Sequence, residues 1–376
     1  MASSTVEGIR VEGDCADAFA PVRAALEENF ASRGEIGSAV CVYHEGQKVV
    51  DIWGGHMDAA RSRPWQADTL CLMYSIAKSI CALSVHMLAD QGKVDLDAPV
   101  ATYWPEFAQA GKDEIKVRHV LAHWCGVWPN DAASPGDIYD WERMIAVIER
   151  QEPAWPVETK GAYNSVNIGF ILGEIVRRVT GQRVQDFVHD RICQPLGATY
   201  YLGVPESALD RCAEIVPNPA DAVRAAGRNA NSAAARAWRA FPKDFGTGAQ
   251  NSTKFRQAGV PSFGGFGEAR GMARIYAALA EGGAIDGVRL LSPGAVARAA
   301  ETQWSDMEEG LLHRPLAMAL GFMTNPPDGM KLFGPADDAF GHLGSGGARA
   351  LAIPSKRLAL CFVSNYQSEQ RSIGAR

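Results

Sequence analysis

The segment MYSIAKSICALSVHMLAD, residues 73–90, carries the strongest indication of the fold in this sequence. From Ser75 to about Asp90 its apolar residues recur near helical spacing, which predicts a helix. Gly92 follows and is the residue type that commonly ends a helix. Because this helix is apolar on most of its sides, we expect it to lie buried at the centre of the protein.

Ser75 and Lys78 are the residues of this helix that indicate chemistry. Residues three apart share one helix face, so the lysine amine can reach the serine hydroxyl. The N-terminus of a helix adds free backbone N–H groups and positive potential, which favour an oxyanion. Burial lowers a lysine pKa from its usual ~10.4 and makes the amine a useful base. The alternative is an N-capping serine followed by an ordinary lysine, since Ser-x-x-Lys often occurs by chance.

A second candidate segment is Gly161-Ala162-Tyr163-Asn164-Ser165, just before a predicted amphipathic helix over 166–180. A tyrosine in a polar loop can present its hydroxyl to a cleft and shuttle a proton there. The alternative is a capping loop, in which Asn164 or Ser165 is the N-cap and Tyr163 only packs.

A third candidate segment, GHLGSGG at 341–347, directly precedes a strand that begins near Ala348. Its glycines allow a substrate to approach the backbone closely, and an N–H at the strand edge can serve as an oxyanion donor. The alternative is a flexible glycine turn that carries an exposed His342.

Strand patterns occupy both ends of the chain, and helical patterns lie between them. Segment 38–53 reads as a hairpin around His44–Gln47, and segments 348–354 and 357–365 read as a second hairpin. The predicted helices are Val117–His123, Trp141–Arg150, Val166–Thr180, Val184–Cys193 and Arg270–Glu281. Segment 220–252 has no clear period, which indicates a loop or a short helix with a mobile lid. Any helix after the last strand must be short or missing.

This order of elements predicts an α/β (α+β) protein, with an antiparallel sheet flanked by helices and a mainly helical domain inserted into it. We expect residues 1–104 and 260–376 to form the α/β domain from both chain ends. Residues 105–259 form the inserted domain, and the active site lies in the cleft between the two.

Composition and charge narrow the classes of function. The net charge is −6 and no Lys/Arg-rich run occurs, which argues against nucleic-acid and anionic-membrane partners. The sequence contains neither a run of ~18 apolar residues nor a secretory-signal pattern. The eight cysteines are scattered, which favours reduced thiols and no zinc site. We therefore expect a cytoplasmic enzyme without metal or cofactor that acts on a small molecule, and the oligomeric state stays open.

Together, the three segments resemble the motifs of the serine β-lactamase and penicillin-recognising superfamily. The closer resemblance is to the class C β-lactamase-like esterases, the family VIII carboxylesterases, and it runs from about Val22 to Asn365. Three more segments resemble this family: DLDAPV at 95–100, VLAHWCGV at 120–127 and GGAIDGVRLLSP at 282–293.

The resemblance implies a β-lactamase/transpeptidase-like fold and assigns roles to single residues. Ser75 matches the serine that is acylated, Lys78 its general base, and Tyr163 the tyrosine that relays the proton. The backbone N–H groups of Ser75 and Ser345 match the oxyanion donors. His342 and Gly344 match the first and last positions of the third motif, which contacts substrate.

Two departures from the β-lactamase pattern bear on the substrate. Ser165 stands where β-lactamases have the asparagine of Tyr-x-Asn, and His342-Leu343-Gly344 stands where they have Lys-Thr-Gly. The chain thus lacks an amide that holds the antibiotic side chain, and a group largely neutral at pH 7 replaces a cation. Both changes favour a serine carboxylesterase that cleaves small esters.

Alternatives remain open at this point. A β-lactamase, a D-amino-acid amidase or an acyltransferase would use the same acyl-enzyme, and a non-catalytic binding protein could keep the fold. Trp124 and Trp238 are candidates to line the substrate pocket, with core packing as the alternative. The histidines without ligand spacing are interpreted as structural, namely His56, His86, His119, His123 and His313.

Overall fold

The fold is built on a ten-stranded antiparallel sheet. The structure, a computed structural model, describes residues 4–6, 9–217, 232–246, 248–306, 309–311, 313, 315–326 and 331–367. The strands of this sheet are β1 Ser4–Val6, β2 Ile9–Cys15, β3 Gly37–His44, β4 Gln47–Gly55, β10 Trp304–Asp306, β11 Leu316–Met318, β12 Met323–Thr324, β13 Phe340–Leu343, β14 Arg349–Ile353 and β15 Leu358–Ser364. Their order in the sheet is β1-β2-β4-β3-β15-β14-β13-β12-β11-β10. A separate two-stranded sheet pairs β8 (Ala284–Ile285) with β9 (Val288–Arg289).

The two predicted hairpins lie side by side at the centre of this sheet. β3 and β4 meet at a turn of Glu45 and Gly46, both with positive φ, as the sequence predicts. β14 and β15 are joined through Pro354–Lys356 and form the second hairpin. β3 pairs with β15 from Ser38 to His44, so strands from the N-terminal and C-terminal parts of the chain form one sheet.

Helices cover the sheet and fill the middle of the chain. Their bounds are Ala20–Ser32, Ile76–Asp90, Val117–Leu121, Trp141–Arg150, Asn167–Thr180, Val184–Val188, Gln194–Leu196, Ala233–Ala237, Thr253–Ala258, Ala269–Ala280 and Pro293–Ala300. The helix predicted over 184–193 is continuous in its path but changes to π-helical hydrogen bonding at His189–Cys193. None of the helices in the described ranges has the length and apolar content to span a bilayer.

The helix Ile76–Asp90, called the central helix below, is buried from Ile76 to Leu88. It packs against Asn167–Thr180 on one side and approaches β13 on another. The helix Ala269–Ala280 packs on β3, β14 and β15. The central position predicted from the apolar pattern is therefore correct, and it places the first turn of this helix between the sheet and the helical region.

Two features differ from the sequence predictions. Residues 340–343 form strand β13 with a buried His342, whereas the alternative for this segment was a flexible turn with an exposed histidine. A three-stranded sheet joins β5 (Cys71–Leu72), β7 (Gly265–Gly267) and β6 (Tyr200–Leu202), so the region 105–259 contributes a strand as well as helices. The strand pattern was hidden there because β5, β6 and β7 have only two or three residues each.

Two predictions fall partly outside the described residues. Within 220–252, a short helix is present at Ala233–Ala237, but residues 220–231 and 247 lie outside the described part of the chain. Residues 368–376, which follow the last strand, lie outside it as well. The predicted lid and the question of a closing helix are therefore not addressed by the fold.

Candidate active site

Ser75 lies immediately before the central helix, and Lys78 is in its first turn. The preceding residue, Tyr74, has φ +50°, a conformation that residues with a side chain rarely adopt. This sharp turn brings the chain from β5 into the helix. The Lys78 Nζ atom lies 3.0 Å from Ser75 Oγ and 2.7 Å from the carbonyl oxygen of Ser262. The spacing of three residues thus places amine and hydroxyl within hydrogen-bonding distance, as predicted.

Lys78 is almost completely buried, with 1% of the residue's surface exposed. Burial lowers the pKa of Lys78 from its ordinary 10.5 to about 7, and the neighbouring Cys81 thiol acts in the opposite direction. Desolvation has this effect because it penalises the charged form. Near neutral pH a large fraction of the amine is uncharged, so it can accept the proton of the Ser75 hydroxyl.

Tyr163 lies on the other side of this amine. Its ring centroid is 5.2 Å from Lys78 Nζ, and the residue is 5% exposed. The backbone N–H of Tyr163 donates to the Glu309 carboxylate at 3.0 Å, and the N–H of Leu311 donates to the same oxygen at 2.9 Å. A buried carboxylate from a distant segment thus fixes the loop that carries Tyr163.

The Asn164 side chain bonds to the first turn of the following helix, Asn167–Thr180. Its Oδ1 accepts the N–H groups of Asn167 and Ile168 at 2.9 and 3.2 Å, and its Nδ2 donates to the Val127 carbonyl at 2.9 Å. The N-cap residue is Val166, and not Asn164 or Ser165 as predicted, but the Asn164 side chain still accepts N–H groups of the first helical turn. This arrangement leaves Tyr163 beside Lys78. Ser165 is half-buried, and its Oγ lies 3.5 Å from the Tyr163 carbonyl oxygen.

His123, from the segment VLAHWCGV at 120–127, also contacts this loop. Its ring is parallel to the Tyr163 ring, with an interplanar angle of 9° and centroids 5.0 Å apart. Its Nδ1 accepts the Asn164 N–H at 2.8 Å. The interpretation of His123 as structural agrees with its bond to Asn164, but it does not include the contact with the Tyr163 ring. About 40 residues separate His123 from Tyr163, and no spacing rule predicts such a contact.

The third motif forms strand β13 and the residues just after it. His342 is completely buried, and its ring centroid lies 6.1 Å from that of Tyr163. Gly344 follows the strand and lies so close to the central-helix entry that a Cβ atom there would be 2.5 Å from the Met73 carbonyl oxygen. Only glycine permits this approach. It brings Ser345 next to the chain segment that leads into Ser75.

The backbone N–H groups of Ser75 and Ser345 have no hydrogen-bond acceptor within the ranges that the structure describes. Each one begins a helical turn, at Ile76–Asp90 and Ser345–Gly347 respectively. N–H groups at such positions have no partner inside the helix and can bind an anion. Their role as oxyanion donors stays a prediction.

The two predicted pocket tryptophans are both half-buried. Trp238 packs against a small cluster that contains Trp128, Ala162 and Leu311, which places it beside the loop of Tyr163. Trp124 packs against the main core. Their contact with substrate stays a prediction.

All eight cysteines are unpaired thiols, and seven of them are buried. In the described ranges, no group of three or more His, Cys, Asp or Glu side chains is arranged to hold a metal ion.

The Beta-lactamase family model matches residues 22–375 of the chain. The chain belongs to the β-lactamase family. Esterase/beta-lactamase LipL from Mycobacterium tuberculosis (strain ATCC 25618 / H37Rv) is 32% identical to this β-lactamase-family protein over 374 residues, which cover 95% of the chain and 83% of LipL.

Solved structures agree with this assignment. A family VIII carboxylesterase is 35% identical, with 96% of this chain and 94% of that chain covered and a TM-score of 0.85. EstA from Arthrobacter nitroguajacolicus Rue61a is 27% identical, with 100% and 95% covered and a TM-score of 0.87. The predicted superfamily and β-lactamase/transpeptidase-like fold are thus confirmed, and the relatives support a serine hydrolase activity.

Proposed function

We propose that this β-lactamase-family protein is a serine carboxylesterase that cleaves small esters through an acyl-enzyme on Ser75. The observation that carries the proposal is the 3.0 Å distance between Lys78 Nζ and Ser75 Oγ, in a site where burial brings the pKa of the amine to about 7. A neutral amine at this distance can take the hydroxyl proton as the oxygen attacks a carbonyl carbon.

In the proposed first step, Lys78 accepts the Ser75 proton, and the serine oxygen forms a bond to the ester carbonyl carbon. The N–H groups of Ser75 and Ser345 stabilise the resulting oxyanion, and one such donor is typically worth ~3 kcal/mol. Tyr163 passes the proton to the leaving alkoxide, so an alcohol departs and the acyl group stays on Ser75. Water then attacks the acyl-enzyme by the same route and releases the acid.

The third motif supports an ester rather than a β-lactam antibiotic as the substrate. Antibiotics carry a carboxylate, and a cation at position 342 would attract it, but His342 is completely buried against Tyr163. Ser165 also lacks the amide that an antibiotic side chain would contact. The names of two relatives, Esterase/beta-lactamase LipL and a family VIII carboxylesterase, support the choice of an ester as well.

A Ser75→Ala variant tests the proposal. We expect it to lose turnover of p-nitrophenyl acetate and butyrate completely, and to lose the mass increase that an active-site-directed phosphonate produces in the intact protein. Ser84→Ala is the matched control, because Ser84 is a buried serine of the same helix that bonds only the Ile80 carbonyl among the described residues. Wild-type turnover in Ser75→Ala would contradict the assignment.

A β-lactamase activity is the second candidate, since LipL carries both functions in its name. It would use the same acyl-enzyme, and only the substrate would differ. Parallel assays with a chromogenic cephalosporin and with p-nitrophenyl butyrate rank the two. We expect kcat/KM for the ester to be the larger by orders of magnitude, and the reverse order would favour the lactamase.

A further inference from the structure

Tyr163 depends on His123 through three separate contacts. The His123 carbonyl oxygen accepts the N–H of Ala162 at 3.2 Å, and His123 Nδ1 accepts the N–H of Asn164 at 2.8 Å. Between these two bonds, the imidazole ring lies parallel to the phenol ring at 5.0 Å. One residue therefore holds the chain on both sides of Tyr163 and supports its ring from one face.

We propose that His123 is a positioning residue for the reaction, which holds the Tyr163 phenol at the distance from Lys78 that proton transfer requires. The proposal rests on the function proposed above. It assigns His123 a role through Tyr163, without contact between His123 and the reacting atoms.

The contact with Asn164 defines the chemical form of the imidazole. Since Nδ1 accepts an N–H, the ring proton must be on Nε2. The ring is buried, and burial together with the nearby His342 and Lys78 lowers its pKa well below the ordinary value. The neutral form thus persists at neutral pH, and the acceptor for Asn164 is maintained.

The second ring nitrogen, Nε2, does not bond His123 to another part of the described structure. His123 Nε2 is buried and has no hydrogen-bond partner within the described ranges. The backbone of His123 has φ +56°, which is uncommon for any residue other than glycine. In this conformation, both the carbonyl oxygen and the ring of His123 contact the loop that carries Tyr163.

Two substitutions separate the contacts. His123→Phe keeps a flat ring against Tyr163 but removes the Nδ1 acceptor. His123→Asn removes the ring, but its side-chain oxygen can take the place of Nδ1. Because small displacements of a proton-transfer group cost up to about 100-fold in rate, we expect His123→Phe to lower kcat roughly 10- to 100-fold. KM should stay within about threefold, since ground-state binding of the ester does not use this contact.

The assay is hydrolysis of p-nitrophenyl butyrate. The number of active sites is measured as the amount of protein that a phosphonate labels at the end point, and kcat is expressed per labelled site. Unfolded protein is not labelled and therefore does not lower the measured kcat. His123→Asn should recover at least part of the kcat lost in His123→Phe. His86→Phe is the control, since His86 is a buried histidine of the central helix that bonds only a backbone carbonyl among the described residues. It should retain kcat per site.

A kcat per site within twofold of wild type in His123→Phe would overturn the inference, and so would a His123→Asn variant no better than His123→Phe. If His123→Phe does not fold, ¹⁵N NMR of the wild-type imidazole decides instead. We expect a protonated Nε2 and an unprotonated Nδ1 from pH 6 to 8, and the opposite tautomer would overturn the proposal. These results can be told apart from a failure of the proposed function, because the proposed function fails only if the Ser75→Ala variant still hydrolyses esters.

Discussion

Replacement of Lys78 by methionine should abolish activity and at the same time stabilise the fold. The pKa of Lys78 is about 7 in the folded protein and 10.5 in an unfolded chain. At pH 7 the unfolded chain therefore holds the proton almost completely and the folded protein about half of the time. This difference means that burying the amine costs about 4 kcal/mol at pH 7.

Methionine has a similar length and no charge, so Lys78→Met removes this cost. The same change leaves the Ser262 carbonyl and the Ser75 hydroxyl without the amine, which costs about 1–3 kcal/mol. The expected net gain is about 2 kcal/mol at pH 7. At ~2.1 cal/mol/K per residue, a chain of 376 residues has an unfolding entropy of roughly 0.8 kcal/mol/K, so Tm should rise by about 2–3 °C.

The pH dependence of this gain identifies its cause. Because the folded pKa is below the unfolded one, the unfolded chain binds more protons between about pH 7 and 10.5, and wild-type stability rises with pH in that window. Lys78→Met lacks this contribution. The free-energy difference between variant and wild type should therefore fall by about 3 kcal/mol from pH 7 to 9.5.

Thermal unfolding of both proteins at the two pH values measures the effect, and the other titrating groups cancel in the comparison. Lys78→Arg is an informative second variant, because its guanidinium stays charged and should destabilise the site at both pH values. A Lys78→Met variant that is less stable than wild type by the same amount at pH 7 and pH 9.5 would show instead that Lys78 keeps an ordinary pKa in the folded protein.

Two further predictions concern the pH profile and the loop of Tyr163. For a neutral ester, kcat/KM should rise about tenfold per pH unit below pH 7 and level off above it, since the uncharged form of Lys78 is the base and its pKa is about 7; a flat profile from pH 5 to 7 would contradict this. Glu309→Ala removes the acceptor for the N–H groups of Tyr163 and Leu311, so it should lower Tm by about 3–5 °C and reduce kcat. Glu309→Gln, which keeps an acceptor oxygen, should lose clearly less in both measurements, and equal losses in the two variants would exclude the hydrogen-bonding role.

The parts of the site that could be predicted from the sequence are those with a local pattern. Ser75 and Lys78 are three residues apart in one helix, so helical geometry alone places their side chains together. The apolar residues around them predict the burial of the amine, and burial determines its pKa. The paired hairpins could likewise be predicted, because each has a turn between two runs of strand-forming residues.

The parts that could not be predicted depend on contacts between distant segments. His123 precedes the loop of Tyr163 in the sequence and Glu309 follows it, and both bond to that loop. Neither residue lies in a periodic pattern that would predict this contact. β13 has four residues, two of which are glycine and histidine, so its strand character comes from pairing with β14 rather than from intrinsic preference. Only the fold determines which residues surround the lysine and the tyrosine.

The most direct test of the central claim is the titration of Lys78 itself in the free enzyme. Lysine labelled with ¹³C at the ε-carbon reports the charge of each amine by NMR, and the Lys78→Met variant assigns the signal. We expect a midpoint of about 7 for Lys78. A midpoint near the ordinary 10.5 would mean that the amine is charged at neutral pH and cannot accept the proton of Ser75.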